Sequence, residues 1–299
     1  MPQQSHTAQV HSGAGTVPGN VTEAEFNKRA FRFLQEIAGD LSGEGISFPT
    51  FIDATVKIRN ALNDPDVDAE RLARAVSSEP LLAARLVRMA NSVALNPSGK
   101  RIGDIKSAVM RIGLKSVRAT AVAVALQQLK ESKDLAPFAA EAERVWRHSL
   151  DVAAIAYVLA RASSAINPDE ALFAGLVHDI GRFYLLSRAS RYPELADHHD
   201  EVEAIVREWH PPIGQAIAQE LDLPESLVSA VADHEQGNYR FPPKNLSDLV
   251  TLANLAAHAR APKREPDDHA SERLPDDSPA LPVLDKAADE IRSLVEAMS

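Results

Sequence analysis

The chain has 299 residues, no cysteine, and 32 basic against 42 acidic side chains, a formal charge of −10. That excludes disulfides and thiolate metal sites, and it makes nucleic acid a poor default partner outside a local basic patch. Apolar residues make up 45% but aromatics only 5%, so the core is built from Ala, Leu, Val and Ile, a composition that favours helix over sheet. No apolar run reaches the ~20 residues needed to cross a bilayer, and the N-terminus lacks a basic-then-apolar leader. A cytoplasmic protein without membrane contact is expected.

In chain order, residues 1–20 are rich in Gln, Ser, Gly, His and Thr without periodicity and read as a disordered tail. A capping box, Thr22 with Glu25, opens a first helix within 21–45, with Phe26, Ala30, Phe33, Ile37 and Leu41 on one stripe. Residues 46–135 read as an N-terminal lobe of short helices; Pro80 takes the first turn of one, and Gly113 closes another. Lys100, Arg101, Lys106, Arg111, Lys115 and Arg118 cluster there against the single acid Asp104, with Arg111, Lys115 and Arg118 on one helix face. A solvated face is the plain explanation of such a cluster.

Residues 136–260 read as a second lobe of longer helices, at about 139–163, 168–188, 201–221, 225–235 and 246–260. Asn167-Pro168-Asp-Glu170 is a start signal with an Asn cap, Pro in the first turn and Glu at the third position. Residues 261–282, rich in Pro and charge, read as a linker, and 283–299 as a C-terminal helix with Leu284, Ala288, Ile291, Val295 and Met298 on a seam. That seam and the first helix are expected to pack back on their own chain. No period-2 run is long enough for a strand, so the fold class is all-α.

Within the second lobe, polar residues recur on apolar faces. In FAGLVHDIGRF, residues 173–183, Phe173, Leu176, Val177, Ile180 and Tyr184 line one face, and Asp179 falls among Leu172, Phe183 and Leu186. His178 shares a third face with Ala171, Ala174, Gly175 and Gly181, small residues that allow close approach of a neighbour. An ionised Asp buried alone is costly, so Asp179 needs a metal, a histidine or backbone donors. His148 shares a stripe with Val145, Val152 and Ile155, and His234 with Leu227 and Val231. Asn254 lies with Val250 and Ala257, His258 follows one turn on, and His210 precedes Pro211-Pro212 at an expected helix start. One such histidine would be an ordinary core residue; five successive segments each aiming a His, Asp or Asn inward is how helical bundles build metal sites, and imidazole with carboxylate suits Zn, Mn or Fe. His198 and His199 read as a solvated face, and His6, His11 and His269 fall in the tails.

The ordered set His148, His178-Asp179, His210 and His234 resembles the metal-dependent phosphohydrolases of the HD superfamily, and most closely its HDOD branch. The SSEP and Asn91-Ser92 region, the segment IGDIKSAVMRIGLKSVRATAVAVAL and the three histidine-bearing stretches follow that branch over about residues 46–260. The resemblance implies two helical lobes, the second an HD-like core, and a regulatory role in bacterial signal transduction without demonstrated hydrolysis. It also marks departures. The late aspartate that closes an HD metal site is Asn254 here, a weaker ligand. The related cyclic-dinucleotide phosphodiesterases carry Lys after His-Asp-Ile-Gly, where this chain has Arg182. Their Gly-Tyr-Pro segment is absent, Gln236-Gly-Asn-Tyr-Arg240-Phe-Pro-Pro243 standing instead, and their paired histidine is reduced to Asp233-His234.

Three readings follow, in this order. The first is a non-catalytic signalling module that binds protein partners, needs no cofactor and keeps a vestigial site. The second is a metal-dependent phosphohydrolase of nucleotides or cyclic nucleotides, with His148, His178, Asp179, His210 and His234 on Mn, Fe or Zn, Asp179 bridging and Arg182 contacting phosphate. The third is a nucleotide- or nucleic-acid-binding regulator using the basic cluster at 100–118.

Overall fold

The computed structural model describes residues 23–42, 68–163, 165–196, 198–221, 223–236, 239–260 and 274–299. The tail at 1–20, Thr22 of the expected capping box, residues 46–67, most of the expected linker, and His6, His11 and His269 lie outside them. Every regular element among the described residues is helical, as the Ala- and Leu-rich composition requires.

The N-terminal lobe comprises α2 (Ala69–Ser77), α3 (Pro80–Ala90) and the first part of α4 (Ile105–Lys130). Asp68 caps α2 by accepting from the Arg71 N–H, and Asp104 caps α4 by accepting from the Ser107 N–H. Gly113 has φ +78°, so α4 is two helices joined at a left-handed residue, and the register breaks there. No single uninterrupted helix therefore carries Arg111 together with Lys115 and Arg118. Arg111 bonds the Asn96 side chain at 2.7 Å, Lys106 pairs with Glu70 at 3.0 Å, and the side chains of Lys115 and Arg118 are outside the described set.

The second half of α4 is the spine between the lobes. Val117, Ala121 and Val124 face the core of α2 and α3, while Ala119, Ala123 and Leu126, offset by two positions, face the larger second core. That core is laid on α5 (Ala139–Ser163), whose buried side chains run from Glu141 to Ala160. Around it stand α6 (Pro168–Val177), α7 (Ile180–Ala189), α8 (His199–Glu220), α9 (Glu225–Asp233) and α10 (Leu246–Arg260). The Asn167 side chain accepts from the Asp169 and Glu170 N–H groups, as the start signal predicted. Asn167→Ala should cost about 1 kcal/mol, read in chemical denaturation.

The outer helices return to this body. In α1 (Glu23–Ser42), Phe33 and Ile37 are buried, with Phe33 edge-on to Tyr192 at 5.9 Å. Residues 274–280 are in place, Leu274 donating its N–H to the Leu255 carbonyl. The C-terminal seam divides into α11 (Leu281–Lys286) and α12 (Ala288–Met298). Leu284, Ile291, Leu294, Ala297 and Met298 are buried, and α12 packs on α5 and α3. Arg85 and Arg88 of α3 donate to the Ser299 and Ala297 carbonyls at 2.7 and 3.1 Å, where basic groups suit a helix C-terminus.

Candidate functional site

Two glycine contacts bring the helices together. A Cβ on Gly175 would lie 2.5 Å from the Ala153 Cα, so α6 meets α5 backbone to backbone. A Cβ on Gly181 would lie 2.1 Å from the His210 carbonyl oxygen, so the start of α7 is pressed onto α8. The one long helix expected over 168–188 is interrupted at His178-Asp179. Adjacent residues of a continuous helix point about 100° apart. The break lets both side chains turn into the same space, where His178 Nε2 is 3.5 Å from Asp179 Oδ2.

The other expected correction concerns α8. Pro211 and Pro212 lie inside this helix, not at its start. Proline at 211 has no N–H for the Arg207 carbonyl. The His210 ring supplies the missing donor: Nδ1 is 2.9 Å from the Arg207 oxygen and 3.0 Å from that of Val206. The same device recurs. His178 Nδ1 donates to the Gly175 carbonyl and His234 Nδ1 to the Val231 carbonyl, both at 2.7 Å. A carbonyl only accepts, so each Nδ1 carries a hydrogen and Nε2 is the ring nitrogen left to face the centre.

Those Nε2 atoms converge. His210 Nε2 and His234 Nε2 are 3.2 Å apart. Asp179 Oδ1 lies 3.4 Å from the first and 3.5 Å from the second, and Glu235 Oε1 lies 3.2 and 3.6 Å from them. On the other side of Asp179, the His148 and His178 rings are 5.2 Å apart, and His258 stacks on His148 at 4.6 Å. His148 Nε2 is 2.7 Å from Asn254 Oδ1, so it donates there. His178 Nε2 is buried with no hydrogen-bond partner. All the sequence-predicted residues, His148, His178, Asp179, Arg182, His210, His234 and Asn254, therefore meet in one buried centre. His198 and His199 stay outside it, paired with Glu201 and Glu141.

Glu235 was missed in the sequence, although it follows His234 as Asp179 follows His178. Glu203 was missed too; it sits in a run of charges at the start of α8. Both matter because of Arg182, whose guanidinium contacts Asp179 at 3.1 Å, Glu203 at 3.1 Å and Glu235 at 3.4 Å. The guanidinium is thus engaged internally by three carboxylates. Burial favours the neutral forms of His148 and His178 and pushes both down to about 4, His178 against the pull of Asp179. Burial likewise lowers His210, with Arg182 adding to it. For the carboxylates burial works upward and is outweighed. His178 and Arg182 hold Asp179 well below its usual range, and His210 and His234 bring Glu235 to about 2. At neutral pH His148, His178 and His210 are therefore neutral, Asp179 and Glu235 anionic, and Arg182 cationic.

The HDOD domain model matches residues 48–237, more than half of the chain. The chain belongs to the HDOD domain family. The HDOD chain is similar to a crystal structure from Shewanella amazonensis SB2B, provisionally described as a metal-dependent phosphohydrolase. The two are 26% identical with a TM-score of 0.73, over 90% of this chain and 100% of that one. A Marinobacter aquaeolei VT8 protein, provisionally described as a signal transduction protein, shares the fold at 18% identity and TM-score 0.53, over 91% and 66% of the chains. An uncharacterized protein of Treponema pallidum (strain Nichols) is 25% identical over 74% of this chain; the HDOD chain spans 44% of that relative's length. No helix among the described residues is long and apolar enough to cross a membrane.

The residues fit a divalent cation unequally on the two sides of Asp179. His148, His178 and Asp179 are near enough to share one. But His148 spends Nε2 on Asn254, which leaves two committed donors and a neutral amide where the ring should close. Asp179, His210, His234 and Glu235 also lie within reach of one ion, with His210 Nε2 and His234 Nε2 bonded to each other at 3.2 Å.

Proposed function

We propose that this chain is a non-catalytic signal-transduction module that acts by binding other signalling proteins, its second lobe built around a disabled HD centre. The observation that carries this is the hydrogen bond between Asn254 and His148. Phosphoester hydrolysis by such a centre needs a metal to polarise the phosphate and to lower the pKa of a water nucleophile. Here the amide takes the place of the closing carboxylate and also withdraws His148. Access points the same way. The side chains of His178, His210 and His234 have no exposed surface and Asp179 has 5%, so a phosphoester would have to part packed helices to reach them. Arg182, the cation available for a phosphate, is already held by three carboxylates.

Protein contact is left to the outer surfaces. Leu81, Val93, Met110 and Leu114 of the N-terminal lobe are exposed, and they suit a protein partner better than water. For the basic cluster as a nucleic-acid surface, the described pairs Lys106–Glu70 and Arg111–Asn96 speak against a free cationic face.

The phosphohydrolase reading keeps one favourable observation, the unpartnered His178 Nε2. Asn254→Asp tests what that atom is for. Restoring the carboxylate should let His148, His178 and Asp179 hold one further Mn²⁺ or Zn²⁺ per chain, counted by elemental analysis after desalting. A variant that only loses stability, with no additional ion, would make Asn254 a packing residue and remove the basis for calling the site disabled.

A further inference from the structure

Residues 91–104 make no regular element, yet side chains hold them in place. Asn91 Nδ2 donates to the Val87 and Ile102 carbonyls, and Asn91 Oδ1 accepts from the Ile102 N–H, all at 2.8 Å. Asn96 is buried; it donates to the Lys100 carbonyl at 2.9 Å and accepts from Ser98 and Arg111. This segment, the C-terminal half of α3 and one side of α12 form a cleft of about 960 Å³. Small-molecule sites run from about 300 to 1,000 Å³. Two bonds hold the α12 wall against the others: Ser293 Oγ accepts from the Val93 N–H and the Ala297 carbonyl from Arg88 Nε, both at 3.1 Å.

The walls carry polar groups that the fold does not use. Arg101 lines the cleft, is exposed, and has no ion pair or hydrogen-bond partner among the described residues. The bond described for Arg88 engages Nε alone. Ser92 also lines the cleft; it is buried, and its hydroxyl has no hydrogen-bond partner. Of the charged side chains in the lining, two are guanidinia and one is a carboxylate, Glu296. Val87, Ile102 and Ala297 add apolar surface. Guanidinium N–H groups pair in parallel with the oxygens of a carboxylate or phosphate. We infer that this cleft binds a small organic anion, a carboxylate or a phosphate monoester carried on an apolar body. Because α12 forms one wall, the bound anion also holds α12 against α3. The site lies apart from the HD centre and does not depend on the regulatory reading.

The test titrates the full chain with anilinonaphthalene sulfonate, an amphiphilic anion whose fluorescence rises in apolar surroundings. One saturable molecule per chain is expected, with a raised melting temperature. Octanoate and octyl phosphate are then tried separately as competitors, and the one that displaces the dye at lower concentration tells a carboxylate ligand from a phosphate one. Octanol, of similar length but uncharged, should displace it at least about ten-fold less well than the better of the two. Arg101→Glu should weaken dye binding by a similar factor while the free variant melts as the parent does, since no described contact of the fold rests on Arg101. Arg240→Glu, an exposed cation of the second lobe, should bind the dye as the parent does. Absence of saturable binding, displacement by octanol as readily as by either anion, or equal affinity in Arg101→Glu would each overturn the inference. Hydrolytic turnover bears on the regulatory reading alone, so the two can fail separately.

Discussion

Gly181→Ala is expected to destabilise the chain by at least about 3 kcal/mol, above the usual range for an overpacked core. The added Cβ would sit 2.1 Å from the His210 carbonyl oxygen and 2.8 Å from the Gly214 nitrogen. Both obstacles are backbone of α8, so no rotamer change relieves them. The helices must separate, carrying Asp179 away from His210. Gly214→Ala is the internal control, because its Cβ first meets the Val231 Cγ1 methyl at 2.8 Å, and a side chain can yield. In a thermal melt Gly181→Ala should fall by roughly 6–12 °C, well beyond Gly214→Ala. Equal melts for the two variants would mean that α7 and α8 are not pressed together at this point.

The second large effect is electrostatic. Arg182→Ala in chelator-treated protein should cost about 3–5 kcal/mol, the loss seen when one partner of a buried ion pair is removed. The guanidinium is the one described cation among Asp179, Glu203 and Glu235, and without it the carboxylates repel across a poorly solvated space. Arg182→Lys should recover part of the loss: an ammonium keeps the charge but cannot reach three carboxylates with a planar fork. Urea denaturation of the three proteins reads this directly. An Arg182→Ala chain as stable as its parent would show that the carboxylates are neutral or separated.

Much of this was legible in the sequence. The helical class followed from composition. The inward direction of His148, His234 and Asn254 followed from the stripes they share with Val145, Val231 and Val250, that of Asp179 from Leu172, Phe183 and Leu186, and that of His178 from the small residues Ala171, Ala174 and Gly175, and the resemblance to the HDOD branch set their order. What the sequence hid depended on local breaks in periodicity. Gly113 interrupts α4, so the regular helix on which Arg111 and Lys115 were aligned is broken between them. The break at His178-Asp179 replaces one long helix with two, and it turns two neighbouring side chains to one centre. Pro211 signalled a helix start by the usual rule, yet the His210 ring accepts the role of the missing N–H donor and the helix runs on. Glu203 and Glu235 were invisible for a related reason: each reads as a surface charge until a helix from elsewhere brings Arg182 to it.

The most direct measurement is hydrolysis itself. The purified chain, supplied with Mn²⁺ or Fe²⁺, is assayed on nucleotide and cyclic-nucleotide phosphoesters beside His178→Ala. The account predicts no turnover above the metal-only blank for either protein. Turnover by the parent chain that disappears in His178→Ala would contradict it.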